Sequence, residues 1–182
     1  MTITITLVGA GSNYTPELIE GILGQDAARL PVGEIRLYDI DRRRLDIMAG
    51  LSRRMITHVG RSVALTAHTD IDAALRGVDF VITQLRVGGL TARYLDETIP
   101  VKYGIIGQET TGPGGMFKAL RTIPAMVEIA RAVQRCAPQA WILNYTNPSG
   151  IITEAVQRHS GARIVGLCSS IPLMSATITT YF

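Results

Sequence analysis

"TLVGAGSNYTPEL", residues 6–18, decides how this chain is to be read. An apolar run stops at Gly9-Ala10-Gly11, which is how a buried strand hands over to a tight, phosphate-cradling turn. Tyr14 stands where the usual dinucleotide-binding pattern has its third glycine. Thr15-Pro16-Glu17 then reads as an N-cap, a first-turn proline and an early acid. The helix is therefore expected to begin late, leaving Ser12 and Asn13 to face whatever rests on the loop.

Outward from that turn, short apolar runs alternate with helical patterns along the whole chain. Strands are expected near 2–8, 34–38, 62–66, 78–84, 140–144 and 163–167. Helices are expected near 16–25, 41–58, 70–76, 116–136 and 148–159. This βαβ alternation predicts an α/β fold: a Rossmann-type, doubly wound, mainly parallel sheet with helices on both faces. There is neither an internal repeat nor a low-complexity linker.

Composition agrees with a packed domain. Of 182 residues, 47% are hydrophobic and 18% charged, which excludes a disordered chain. Eighteen Lys and Arg against fifteen Asp and Glu give a formal net charge of +3, spread along the sequence. "DRRR" at 41–44 is too short to form a nucleic-acid face and reads as a solvated helix surface. No apolar run approaches the roughly 20 residues a membrane span needs. The start lacks the basic lead and small-residue cleavage site of a signal peptide, so a cytoplasmic protein is expected. In that reducing compartment Cys136 and Cys168 are not expected to pair; Cys136 reads as inert filler at a helix end.

"EIRLYD" is a strand ending on Asp39, with the next helix opening at Asp41. In doubly wound dinucleotide folds an acid here accepts hydrogen bonds from the adenosine ribose, which favours NAD over NADP, whose phosphate it would repel. Asp39 lies farther from Gly11 than the usual ~20 residues, a difference absorbed by the wide turn and the "AARLPVGE" loop. Simple helix capping by Asp39 and Asp41 is the alternative.

The stretch 86–124, "RVGGLTARYLDETIPVKYGIIGQETTGPGGMFKALRTIP", is not that of a plain dehydrogenase. Gly112, Gly114 and Gly115 flank a helix start, either as a structural turn or as free N–H groups for an anion. "WILNYTNPSG" ends a later strand at the edge where open α/β sheets bind ligands, and "IVGLCSSIP" puts Cys168 on the same edge. Cys168 could be a buried hydrophobe, a nucleophile or a metal ligand.

Taken together, "GAGSNYTPEL", "YDID", "RVGG", "DETIPVKYGIIGQETTGPGG" and "NYTNPSG" followed by "GLC" resemble glycoside hydrolase family 4, most closely its 6-phospho-β-glucosidase branch. The resemblance runs over roughly residues 3–168. It implies a Rossmann-type domain followed by a mixed α/β domain, with ancestry shared with lactate and malate dehydrogenases. It also implies a glycosidase that needs NAD and a divalent metal, commonly manganese, outside the two-carboxylate pattern. The implied chemistry is oxidation of the sugar's C3 hydroxyl by NAD, removal of the acidified C2 proton by a tyrosine, β-elimination of the aglycone and addition of water before the hydride returns.

By position, the resemblance makes Gly9, Gly11, Ser12 and Asp39 the NAD site, Cys168 a metal ligand, and Arg93 and Asn147 substrate-binding residues. Arg86 is a weaker phosphate candidate. Glu109 matches an acid that raises the basicity of the catalytic tyrosine. The wide loop at Ser12–Tyr14 is then the family's own.

The sequence departs from the family after Cys168, where "CSSIPLMSATITTYF" lacks the expected acid or amide and the later metal-binding histidine. Ser169 occupies the proton-donor position of the α-glycosidase branch, Tyr181 comes too early to be the base, and His58, His68 and His159 match no ligand. Residues 1–168 are accordingly expected to be the NAD-binding domain, and 169–182 the start of a substrate and metal domain that is otherwise absent. A truncated member, inactive alone, is expected, with a 6-phospho-glucoside or phosphorylated disaccharide as substrate and full-length relatives forming homo-oligomers. The alternatives are an NAD-dependent malate- or lactate-type dehydrogenase and a non-catalytic NAD-binding remnant.

Overall fold

The computed structural model describes residues 2–168. Its elements in chain order are β1 (Ile3–Val8), α1 (Thr15–Leu23), β2 (Val32–Tyr38), α2 (Arg42–Val59), β3 (Ala64–His68), α3 (Ile71–Leu75), β4 (Phe80–Thr83), α4 (Gly89–Val101), α5 (Gly112–Cys136), β5 (Trp141–Asn144), α6 (Ser149–Ser160) and β6 (Arg163–Gly166). The described strands form one sheet in the order β3-β2-β1-β4-β5-β6, parallel at every pairing. The doubly wound fold expected from the sequence is the one observed. The chain reverses its direction of winding between β1 and β4, so the crevice of an open α/β sheet falls at their carboxyl ends.

Both faces of the sheet are covered because its strands are apolar on both sides. Leu7, Ile35 and Leu37 belong to a core shared with Ile19 of α1 and Leu45 of α2. Val8, Val81 and Ile142 belong to the opposite core, closed by Met126 and Val133 of α5 and Ile152 and Val156 of α6. Adjacent residues of β1 thus feed different cores, as the two-residue period of a strand requires. Cys136, partly buried against the second core, has its thiol pushed up by burial and by the Asp72 charge, which fits an inert filler.

Local chemistry sets the helix ends. The Asp41 carboxylate accepts from Arg44 N at 3.1 Å and opens α2, and Gly60, at φ +70°, closes it. The Arg61 guanidinium donates to the carbonyls of Ile22, Gln25 and Leu30, tying down the chain beyond α1.

Two expectations change. Thr15 is the first residue of α1 rather than its N-cap: the fully buried hydroxyl needs a partner and donates back into the glycine turn, to Ala10 O at 2.8 Å. A helix, α4, also occupies 89–101, where no element was expected. It starts on Gly88 and Gly89, both at positive φ, and carries Pro100 in its last turn, so its ends read as loop. No described helix is long and apolar enough to cross a membrane.

Candidate functional site

The glycine turn at the end of β1 is held from beneath. Gly9 N and Ala10 N both donate to Tyr38 O at 3.0 Å, fastening the turn to the end of β2. Gly9 has φ +85°, and a Cβ there would lie 3.1 Å from the backbone of Gln84 and Leu85 at the exit of β4. A Cβ on Gly11 would come within 2.9 Å of an Asp39 carboxylate oxygen. Both glycines are therefore required by close approach, and they leave a groove that larger residues would fill.

Asp39 joins this turn to the next. One carboxylate oxygen accepts from Gly11 N at 2.7 Å and the other from Asp41 N at 2.9 Å. Each carboxylate oxygen retains a second acceptor position, so hydroxyl donors can still be received. Half-buried Ser12 accepts from Tyr14 N at 3.1 Å, and Asn13 is exposed, so both lie on the upper turn as expected. The cradle, the acid at the end of β2 and the switch in strand order fit a dinucleotide.

A second cluster forms where the chain leaves β4. Arg86 is two residues beyond Gln84, whose backbone lies against Gly9. The Arg86 guanidinium clasps Glu109 with contacts of 3.1 and 3.3 Å to its two carboxylate oxygens. Arg93 of α4 reaches Glu109 at 3.0 Å and Glu97 at 2.8 Å. Lys118 of α5 lies 2.5 Å from Glu109, with only 3% of its surface exposed. Burial pushes the Glu109 pKa upward, but hydrogen bonds from Lys118 and Arg86, and the charges behind them, outweigh it and hold the carboxyl at about 2. Burial pushes Lys118 downward while Glu109 pulls it back, so a buried ammonium faces a permanent carboxylate.

Sequence reasoning missed Lys118, Asp96 and Arg121. Arg121 donates to Val87 O at 3.0 Å and pairs with the buried Asp96 at 2.5 Å, bracing the "RVGG" turn that carries Arg86. Gly114 and Gly115 begin α5 against carbonyl oxygens: a Cβ on Gly114 would collide with those of Gln108 and Asp96, and one on Gly115 with that of Thr110. Their first duty is steric. No local signal in "MFKAL" reveals the inversion, in which Phe117 and Leu120 are exposed and Lys118 is buried.

At the end of β5 the two asparagines divide. Asn144 is fully buried; its side-chain oxygen accepts from Thr83 Oγ1 and Thr146 N, both at 2.9 Å, and Thr146 Oγ1 accepts from Leu85 N. Asn147 is half-buried on the turn that follows and precedes a cis peptide to Pro148. Cys168 is exposed just beyond β6. The described residues contain no group of three or more His, Cys, Asp or Glu able to hold a metal ion. The structure thus brings Glu109, Arg86 and Arg93 together, and Gly9, Gly11 and Asp39 together. Ser169 and Tyr181 lie outside the described residues.

The model of the family 4 glycosyl hydrolases matches residues 4–181. Over 168 residues the chain is 48% identical to a probable 6-phospho-β-glucosidase of Bacillus subtilis, covering 91% of this chain and 38% of that protein. It is also 48% identical to a 6-phospho-β-glucosidase of Escherichia coli, again over 38% of that protein's length. Identity to a 6-phospho-α-glucosidase of Lacticaseibacillus paracasei is 38%. The solved 6-phospho-β-glucosidase of Thermotoga maritima, with manganese, NAD+ and glucose-6-phosphate, superposes with a TM-score of 0.91 at 36% identity, covering 99% of this chain and 44% of that one. A lactate dehydrogenase of Eimeria maxima, at 20% identity and a TM-score of 0.61, shares the fold alone. The chain spans about two fifths of the length of these family relatives, and it belongs to the family 4 glycosyl hydrolases.

Proposed function

We propose that residues 1–168 are the NAD-binding domain of a 6-phospho-β-glucosidase, with 169–182 opening a substrate and metal domain. The observation that carries this is the junction of two features at the exit of β4: the glycine cradle with Asp39, and Glu109 ringed by Arg86, Arg93 and Lys118. The greater identity to β- than to α-glucosidases supports the branch.

Gly9, Gly11 and Ser12 would hold the pyrophosphate and Asp39 the adenosine ribose. NAD bound there would supply a hydride acceptor for C3 of the sugar and return the hydride after elimination. Arg93, aided by Arg86, offers guanidinium groups to an anionic sugar, and Asn147 an amide to its hydroxyls. Glu109, ionised throughout the working pH range, is a fixed negative charge toward the base that takes the C2 proton. Cys168, when deprotonated, would supply one soft donor to a transition metal, and a manganese ion there would need harder oxygen ligands beside it. The described residues alone do not complete that site.

Titration calorimetry should show NAD binding more tightly than NADP. Asp39→Ala should cost about 1–3 kcal/mol of NAD affinity through loss of charged hydrogen bonds. Equal or tighter NADP binding would overturn the assignment. For the activity, residues 1–168 joined to the remainder of the Escherichia coli relative should cleave a chromogenic 6-phospho-β-glucoside only with NAD, and should place solvent deuterium at C2. Cleavage without NAD, or without exchange at C2, contradicts redox elimination.

A further inference from the structure

Three arginines open α2, and the structure gives each a different setting. Arg42 pairs with Asp46 one turn on, at 2.9 Å. Arg43 lies two positions before the fully buried Leu45, about 200° around the helix from it, and so on the solvent side. Arg44 is the one against the glycine turn. Its Cβ lies 2.9 Å from the point that a Cβ on Gly11 would occupy, and an Asp39 carboxylate oxygen lies 2.9 Å from the same point. A carboxylate and the root of a guanidinium side chain therefore flank the turn together. They do not pair. The Asp39 oxygens face the amides of Gly11 and Asp41, and the exposed Arg44 guanidinium makes no hydrogen bond or ion pair among the described residues.

We propose that Arg44 is a specificity-determining residue of the cofactor edge, its guanidinium taking the 2′-phosphate of NADP while the Asp39 carboxylate repels it. The extra phosphate of NADP is esterified to the ribose 2′-hydroxyl, the group an acid at the end of β2 accepts from. It would therefore arrive between Asp39 and Arg44. A guanidinium beside it can meet two phosphate oxygens at once, and Arg44 has no other partner to give up. NAD offers only a hydroxyl at that position, so its ribose edge carries no charge for Arg44 to bind. The acid then sets the preference and the arginine limits it: NAD binds first, and NADP is weakened without being shut out. This rests on the assignment of the glycine turn and Asp39 to a dinucleotide and adds to it a second, opposing determinant.

Titration calorimetry of NAD and NADP against the 182-residue chain tests it. Arg44→Ala should weaken NADP at least about fivefold and NAD less than about twofold, the pattern of a charged hydrogen bond that only the phosphorylated cofactor makes. Arg44→Lys keeps the charge without the planar fork and should restore part of the NADP affinity. Arg43→Ala removes the same charge from the far side of the helix and should leave both affinities as they are. Both side chains are exposed, and equal melting temperatures show that the variants are folded. Equal weakening of the two cofactors by Arg44→Ala overturns the proposal, since the guanidinium would then serve the pyrophosphate common to both. So does an equal effect of Arg43→Ala, which would mean general charge, or the absence of any NADP binding to the parent chain. If NAD itself does not bind, the dinucleotide assignment fails and takes this proposal with it; NAD binding with an unmoved NADP affinity in Arg44→Ala refutes the role of Arg44 alone.

Discussion

Replacing Glu109 by alanine should destabilise the chain by about 3–5 kcal/mol, the range for removing one partner of a buried ion pair. Three cations lose their shared counter-charge, and Lys118 has nowhere to go: its side chain is only 4% exposed, and Arg86 and Arg93 stand on the same carboxylate. Urea unfolding at neutral pH measures the loss. The double variant Glu109→Ala with Lys118→Met should recover a large part of it, because a methionine can occupy the buried position without charge; no recovery would mean that Lys118 is not the group left stranded. The same carboxylate sets an acid limb. Its pKa falls from 4.5 to about 2 on folding, so its stabilisation is complete above pH 4.5 and is lost as the pH drops toward 2. Glu109→Gln should flatten stability over that window.

Gly114→Ala should cost about 3 kcal/mol, a drop of roughly 6–12 °C in melting temperature for a chain of this size. The added methyl would meet the carbonyl oxygens of Gln108 and Asp96, both backbone, so no side chain can rotate away. Gly112→Ala is the control: its surroundings are open but its φ is +65°, and about 1 kcal/mol of backbone strain is expected. If the two variants melted together, steric fit would not explain the glycines of this helix start.

The fold was legible because its strands are short apolar runs with glycine or acid at their carboxyl ends, and Asp39 and Gly9 mark two of those ends directly. Element α4 was not, because Gly88, Gly89 and Pro100 are local signals of loop, and the helix is held by packing against α5 that no local pattern reports. At the site, Gly9, Gly11 and Asp39 could be placed because the turn and the strand that bring them together are themselves local. Lys118 and Asp96 could not. A lysine inside a helical run reads as solvated surface, and only the arrival of Glu109 from the 107–111 loop makes its burial tolerable. Likewise Thr15 reads as a cap until the depth of the glycine turn is known.

The carboxylate of Asp39 grips the amides of Gly11 and Asp41 at once, one in the turn before α1 and the other at the threshold of α2. These two amides cannot open independently, since releasing either loosens the side chain that holds its fellow. In native-state hydrogen exchange they should behave as one cooperative unit with a common opening free energy. A nucleotide that engages only the first turn would then slow exchange at the second, so the amide of Asp41 becomes a reporter of cofactor occupancy from a position the cofactor need not touch.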